Sequence, residues 1–169
     1  MRKSYILLLL LLLLAAPGTM LHAQSTLEER SRSVILVKNM EALIPLSLGP
    51  TGRITLLCDD VRGSEPLAQR LGRYLPADRL AVRSMAKLPL LSTDDLLIVA
   101  VTHGDRPMPD GVDSLLRQQR SVLLFMDRPS DDHYTDAVIA ADAIALSYKG
   151  ESGMTALADA LMGGIPFGG

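Results

Sequence analysis

Hydrophobic positions divide the chain into an apolar leader and a series of short apolar runs separated by amphipathic stretches. Five runs after position 50 have the length of strands: Ile54 to Cys58, Leu80 to Val82, Leu96 to Val101, Val122 to Met126 and Ala143 to Leu146. Leu96 to Val101 and Val122 to Met126 are continuously apolar instead of alternating, which is the pattern of strands covered on both faces in a parallel sheet. The stretches Glu65 to Leu75, Gly111 to Gln119, Asp132 to Ala141 and Ser152 to Met162 predict helices, while Pro89 interrupts the pattern in the connection Ser84 to Asp94. Strands alternating with helices through right-handed crossovers predict an α/β fold, a flavodoxin-like parallel αβα sandwich of five strands.

Ahead of these runs, Ser25-Thr26-Leu27-Glu28 has capping-box spacing, in which a serine oxygen and a glutamate satisfy free N–H groups reciprocally. It predicts a helix from Ser25 that closes near Lys38-Asn39. Leu43 to Leu48, with Pro45, then leads to a turn at Gly49-Pro50-Thr51-Gly52.

The leader has the three parts of a secretory signal: Arg2 and Lys3, the apolar stretch Ile6 to Ala16, and a small residue at Ala23. That stretch is about half of the roughly 20 residues a membrane-spanning helix needs, so the expectation is cleavage after Ala23 and no stable membrane anchor. Residues 1–23 are therefore expected to be a signal peptide and residues 24–169 one exported domain, periplasmic or extracellular.

Composition narrows the chemistry. The chain carries 17 basic and 19 acidic side chains for a net charge of −2, and losing Arg2 and Lys3 makes it more acidic, so a nucleic-acid partner is not expected. Cys58 is the single cysteine, which excludes an intrachain disulfide, and its place in an apolar run reads as a small core residue. Trp is absent, and the rings that serve as sugar platforms are confined to 4 Tyr and 2 Phe. No Gly-rich phosphate loop precedes a helix, since Gly163-Gly164 follows one, and no histidine spacing suggests a metal site; no cofactor is expected.

Ligands of doubly wound sheets lie beyond the carboxyl ends of the strands, which singles out three loops. Asp59 and Asp60 follow the first predicted strand; with Lys149 they suggest a phospho-receiver, but the acceptor aspartate of such a domain has no counterpart where Val101 is followed by Thr102-His103. His103 and Asp105 follow the third predicted strand and have the composition of a base with an orienting carboxylate, without a nucleophile beside them in sequence. Asp127-Arg128 follows the fourth, and Asp131-Asp132-His133 reads as a helix start. Asp59, Asp60, His103 and Asp105 are the ligand-contact candidates.

Arg32-Ser33-Val34-Ile35-Leu36-Val37-Lys38-Asn39, followed by Leu43-Ile44-Pro45-Leu46 and the strand Arg53 to Leu57, resembles the opening of the C-terminal domain of glycoside hydrolase family 3. The closing Ala156 to Gly169, with Gly163-Gly164-Ile165-Pro166-Phe167-Gly168-Gly169, is similar to its last helix and exit, in the β-N-acetylhexosaminidase-type variant. The resemblance implies a parallel αβ sandwich related to hydrolysis of O-glycosyl bonds. It also implies that the nucleophilic aspartate belongs to a separate (β/α)8 barrel, which typically takes about 250 residues and has no room within residues 24–169. Glucosidase-type members draw an acid/base glutamate from the C-terminal domain, but the strand-end loops here hold no glutamate in a comparable place, Glu151 after the fifth predicted strand being the nearest. The expectation is an accessory domain without a catalytic residue of its own, its partner a barrel-bearing glycosidase or a glycan; the alternatives are a free-standing glycan or small-ligand binding module and a hydrolase built around His103.

Overall fold

A computed structural model describes residues 26–168. The predicted signal segment lies outside the described residues. No helix among the described residues is long and apolar enough to cross a membrane.

Helix α1 occupies residues 26–32. It is followed by β1 Ile35–Asn39, β2 Ile54–Cys58, α2 Glu65–Leu71, β3 Leu80–Ser84, β4 Leu96–Val101, α3 Val112–Gln118, β5 Arg120–Phe125, α4 Asp131–Ala140, β6 Ala143–Leu146 and α5 Gly150–Leu161. The six strands form one sheet in the order β1-β6-β5-β4-β2-β3. Strands β2 to β6 are mutually parallel, and β1 joins β6 antiparallel. The sheet thus has the five predicted strands plus a sixth.

The two continuously apolar runs lie at the centre of the sheet. Alternate residues of β4 and β5 face opposite helical layers. Leu96, Ile98, Ala100, Val122 and Leu124 pack with Leu67 and Leu71 of α2 and with Leu157 and Leu161 of α5. Leu97, Val99, Leu123 and Phe125 pack with Val112 and Leu116 of α3 and with Tyr134 and Ala137 of α4. Neither face meets water, so an alternating pattern would have buried polar groups without partners.

β1 corrects the expected helix over Ser25 to Asn39. The helical turn stops at residue 32, where Ser33 Oγ donates to the Arg30 carbonyl at 2.7 Å. The run Val34-Ile35-Leu36-Val37 that follows is β-branched at three of four positions, which disfavours helix and suits a strand. The strand carries a register shift between Leu36 and Lys38, and Val37 there is exposed. The connection holding Pro89 forms no helix. α2 ends at Leu71, short of the predicted Leu75, with Gly72 as its C-cap.

The residues behind the family resemblance hold this architecture together. Lys38 Nζ donates to the carbonyls of Val138, Ile139 and Ala141, satisfying acceptors that the end of α4 leaves free. The Asn39 amide accepts from Ile44 N–H and donates to the Ile44 carbonyl, both at 2.9 Å, next to the cis Ile44–Pro45 bond. Leu46 N–H then donates to the Leu161 carbonyl at 2.7 Å, joining this loop to the end of α5. At the closing turn Gly163 adopts φ 77°, as a left-handed helix terminus requires.

Candidate functional site

The strand order reverses between β2 and β4, because α2 leaves β2 over one face and α3 leaves β4 over the other. Asp59 follows β2 and Thr102-His103 follows β4, so two of the three loops named from the sequence meet at this point.

Asp59 binds them together. Its carboxylate accepts from the backbone N–H of Thr102 at 3.0 Å, of His103 at 2.8 Å and of Asp60 at 2.7 Å. It also accepts from Thr102 Oγ1 at 2.7 Å. His103 Nδ1 lies 3.0 Å from Thr102 Oγ1 and 3.5 Å from Asp59 Oδ2. The carboxylate against the imidazole is therefore Asp59, more than 40 residues away in sequence, whereas Asp105 is exposed in the same loop as the ring. Asp60 accepts from the N–H groups of Arg62 and Gly63, both at 3.0 Å, closing the turn toward α2. Those bonds, the Gly63 one foremost, hold its carboxyl below the usual carboxylate range.

The third loop is laced to the second. Asp127 accepts from Gly104 N–H at 3.2 Å and from Arg128 N–H at 2.8 Å, and Ser130 N–H donates to the Gly104 carbonyl at 2.9 Å. A Cβ on Gly104 would sit 2.0 Å from the Arg128 carbonyl oxygen, so only glycine permits this approach. Beneath the loop, the Tyr134 hydroxyl donates its one proton to the Arg106 carbonyl at 2.5 Å, with the His103 carbonyl 3.2 Å away, and its ring meets Phe125 edge to face at 5.3 Å. Burial, reinforced by Asp59, Asp105 and Asp127, raises the Tyr134 phenol to about 12, so it remains a donor.

The carboxylates of Asp59, Asp60 and Asp127 thus accept from backbone N–H groups of these loops, Asp60 within its own and Asp59 and Asp127 also from the Thr102-His103-Gly104 loop. No group of three or more His, Cys, Asp or Glu side chains among the described residues is placed to hold a metal ion. Glu151 is exposed in the first turn of α5, beside an open hollow formed by Arg30, Gln69, Arg70 and Arg73. Cys58 is fully buried, and burial pushes its thiol up to about 11, consistent with a core residue. His133 is exposed one turn into α4.

One charged cluster escaped sequence reasoning. Asp159, 1% exposed, lies on α5 among Ala156, Leu157, Ala158, Ala160 and Leu161. It accepts a two-point bond from Arg70, at 2.5 and 2.9 Å, another from the Tyr74 hydroxyl at 2.6 Å and a third from Arg30 of α1. Burial alone would raise its carboxyl, but the hydrogen bonds from Arg70, Tyr74 and Arg30 outweigh it and hold it below the ordinary range. The signal was present in sequence as an acid set within the apolar run Ala156 to Met162.

Fold and site together define a doubly wound α/β domain whose strand-end loops are bound to one another and present an imidazole. Solved structures share the fold. A β-glucoside phosphorylase, BglX, bound to 2FGlc matches 86% of this chain with a TM-score of 0.59 and 21% identity, using 30% of its own length. A fungal multi-domain GH3 β-N-acetylglucosaminidase matches 89% of the chain with a TM-score of 0.65 and 17% identity, over 19% of its length. The β-glucosidase from Listeria innocua in complex with glucose matches 79% with a TM-score of 0.55 and 16% identity, over 24% of its length. The chain therefore spans less than a third of each of these proteins, and the resemblance seen at its two ends holds at the level of fold. No protein-family model and no curated protein matches the chain.

Proposed function

We propose that this chain is a C-terminal-type domain of glycoside hydrolase family 3 that contacts glycan through its strand-end loops, as the rim of a barrel-bearing glycosidase's cleft, and has no turnover of its own. The supporting observation is the use of its carboxylates: Asp59, Asp60 and Asp127 hold loop backbone, and Asp159 is buried between arginines. Retaining hydrolysis needs two carboxyl groups about 5 Å apart across the sugar, one as nucleophile and one as acid/base. A carboxylate surrounded by backbone N–H groups is a poor candidate for either part, because moving onto a sugar carbon or taking up a proton would leave those donors unpaired. The proteins that share the fold also devote most of their length to other parts. We further propose export, with residues 1–23 removed; N-terminal sequencing of exported material should begin near Gln24, and material retaining Ile6 to Ala16 would refute it.

The purified chain should not hydrolyse aryl β-N-acetylglucosaminides or aryl β-glucosides above background. Turnover that disappears in His103→Ala or Glu151→Ala would overturn the reading in favour of an independent hydrolase. Turnover that appears only with a barrel-bearing glycosidase, together with binding of that partner, supports it.

A further inference from the structure

Thr102 has one hydroxyl proton and two neighbours that compete for it. At 2.7 Å stands the Asp59 carboxylate, and at 3.0 Å stands His103 Nδ1. Three backbone N–H groups also point at Asp59, and backbone N–H can only donate, so both carboxylate oxygens act as acceptors. The Thr102 proton consequently goes to Asp59, leaving the threonine oxygen to accept from the ring. That contact is a hydrogen bond only when Nδ1 carries a proton. A neutral imidazole has one N–H, and with Nδ1 protonated its Nε2 is a bare lone pair.

We propose that Asp59 and Thr102 fix His103 as its Nδ1–H tautomer, so that Nε2 accepts a hydrogen bond from a sugar hydroxyl at the mouth of the strand-end loops; the sugar part rests on the glycan-contact reading above. Three observations favour an acceptor displayed to a ligand over a ring locked in the core. The His103 side chain is 35% exposed and no hydrogen bond reaches its Nε2 among the described residues. It stands where the strand order reverses, the place where sheets of this kind meet ligands. Its backbone is held from three sides, by Asp59 at its N–H, by Arg106 N–H at its carbonyl and by the Gly104 contacts with the next loop, so the lone pair is offered from a rigid mount. Thr102 and Asp59 are positioning residues, and only His103 would touch the sugar.

The tautomer can be read directly from long-range 1H–15N correlations of the 15N-labelled chain, with His133→Gln to simplify assignment, at a pH well above the ordinary imidazole value of about 6.5. Wild-type His103 should show a proton-bearing Nδ1 and a bare Nε2. Thr102→Val should shift the ring toward the Nε2–H form, and Thr102→Ser should restore it. A wild-type ring in the Nε2–H form, or a Thr102→Val ring unchanged from wild type, would overturn the relay. Titration with chitobiose and with cellobiose should move the His103 ring signals, with binding about two- to tenfold weaker in Thr102→Val. Sugar binding undiminished in that variant would overturn the acceptor role while leaving the glycan-contact reading intact. A correct tautomer with no response to either sugar would refute the glycan-contact reading and the sugar acceptor with it, leaving only the proton order.

Discussion

Replacing Asp159 by Ala removes a carboxylate that three side chains share inside the packed interface between α2 and α5. Arg30 and Arg70 would then stand side by side without a counter-charge, and the Tyr74 hydroxyl would lose its acceptor. Losing one partner of a fully buried ion pair costs about 3–5 kcal/mol. The arginine side chains here are 38% and 28% exposed and can turn partly into water, which places the expected loss at the lower end, about 3 kcal/mol. With an m-value of about 1.5–3 kcal/mol per molar urea, the unfolding midpoint should fall by about 1–2 M. Circular dichroism during urea unfolding measures it. The triple variant Arg30→Met, Arg70→Met, Asp159→Leu separates the cost of orphaned charges from the worth of the cluster, and it should recover most of the loss because no charge is left unpaired. The pH dependence has a definite sign. The folded carboxyl lies below its unfolded value of about 3.9, so the unfolded chain binds more protons in that window. Its contribution is complete above the unfolded value and is lost as pH falls through the folded one, and Asp159→Asn should flatten that part of the acid stability profile. A midpoint in Asp159→Ala within about 0.3 M of wild type, or an unchanged acid slope in Asp159→Asn, would refute the reasoning.

Other consequences are open to direct measurement. Val99 is fully buried in the central strand β4, and Val99→Asp should cost about 4 kcal/mol or more through an unpaired buried charge; an unchanged melting temperature would contradict a sheet covered on both faces. Gly104→Ala drives a Cβ against the Arg128 carbonyl and should lower stability by about 1–3 kcal/mol while speeding hydrogen exchange at Ser130 N–H, which bonds to Gly104; unaltered exchange at Ser130 would show that the two loops are not joined there. Cys58, buried with its thiol raised to about 11, should react with a disulfide reagent near neutral pH only as fast as the protein unfolds, and stoichiometric labelling of the native chain within seconds would contradict its core placement.

The parallel core was legible because its information is local. Leu96 to Val101 and Val122 to Met126 carry their burial in consecutive letters, and the residues predicted to be buried there are 0–3% exposed at Leu97, Val99, Leu123 and Phe125. β1 was misread because two local signals overlap. The capping-box spacing in the sequence predicts a helix start with no matching stop signal but the β-branched run, and the run's partner, β6, lies more than 100 residues later. The antiparallel edge therefore had no sequence neighbour to reveal it. Lys38 and Asn39 were legible as a pattern but not as a mechanism, since their partners at the end of α4 and at Ile44 exist only once the sheet has formed.

The candidate site shows the same division more sharply. Asp59 and His103 could each be picked out by position at a strand end, but their pairing could not, because parallel strands β2 and β4 bring together residues that a whole βαβ unit separates. Sequence proximity favoured Asp105 as the imidazole's carboxylate, and topology supplied Asp59. That exchange changes the chemistry available. An exposed aspartate beside a histidine is free to act on a ligand, whereas Asp59 already accepts from Asp60, Thr102 and His103 and could leave them only at the cost of unpaired donors. The charge at this edge therefore does its work inward, ordering the loops and the threonine hydroxyl. On the proposal made above, what it leaves facing outward is the His103 ring on a fixed backbone, a directional group placed to meet a hydroxyl.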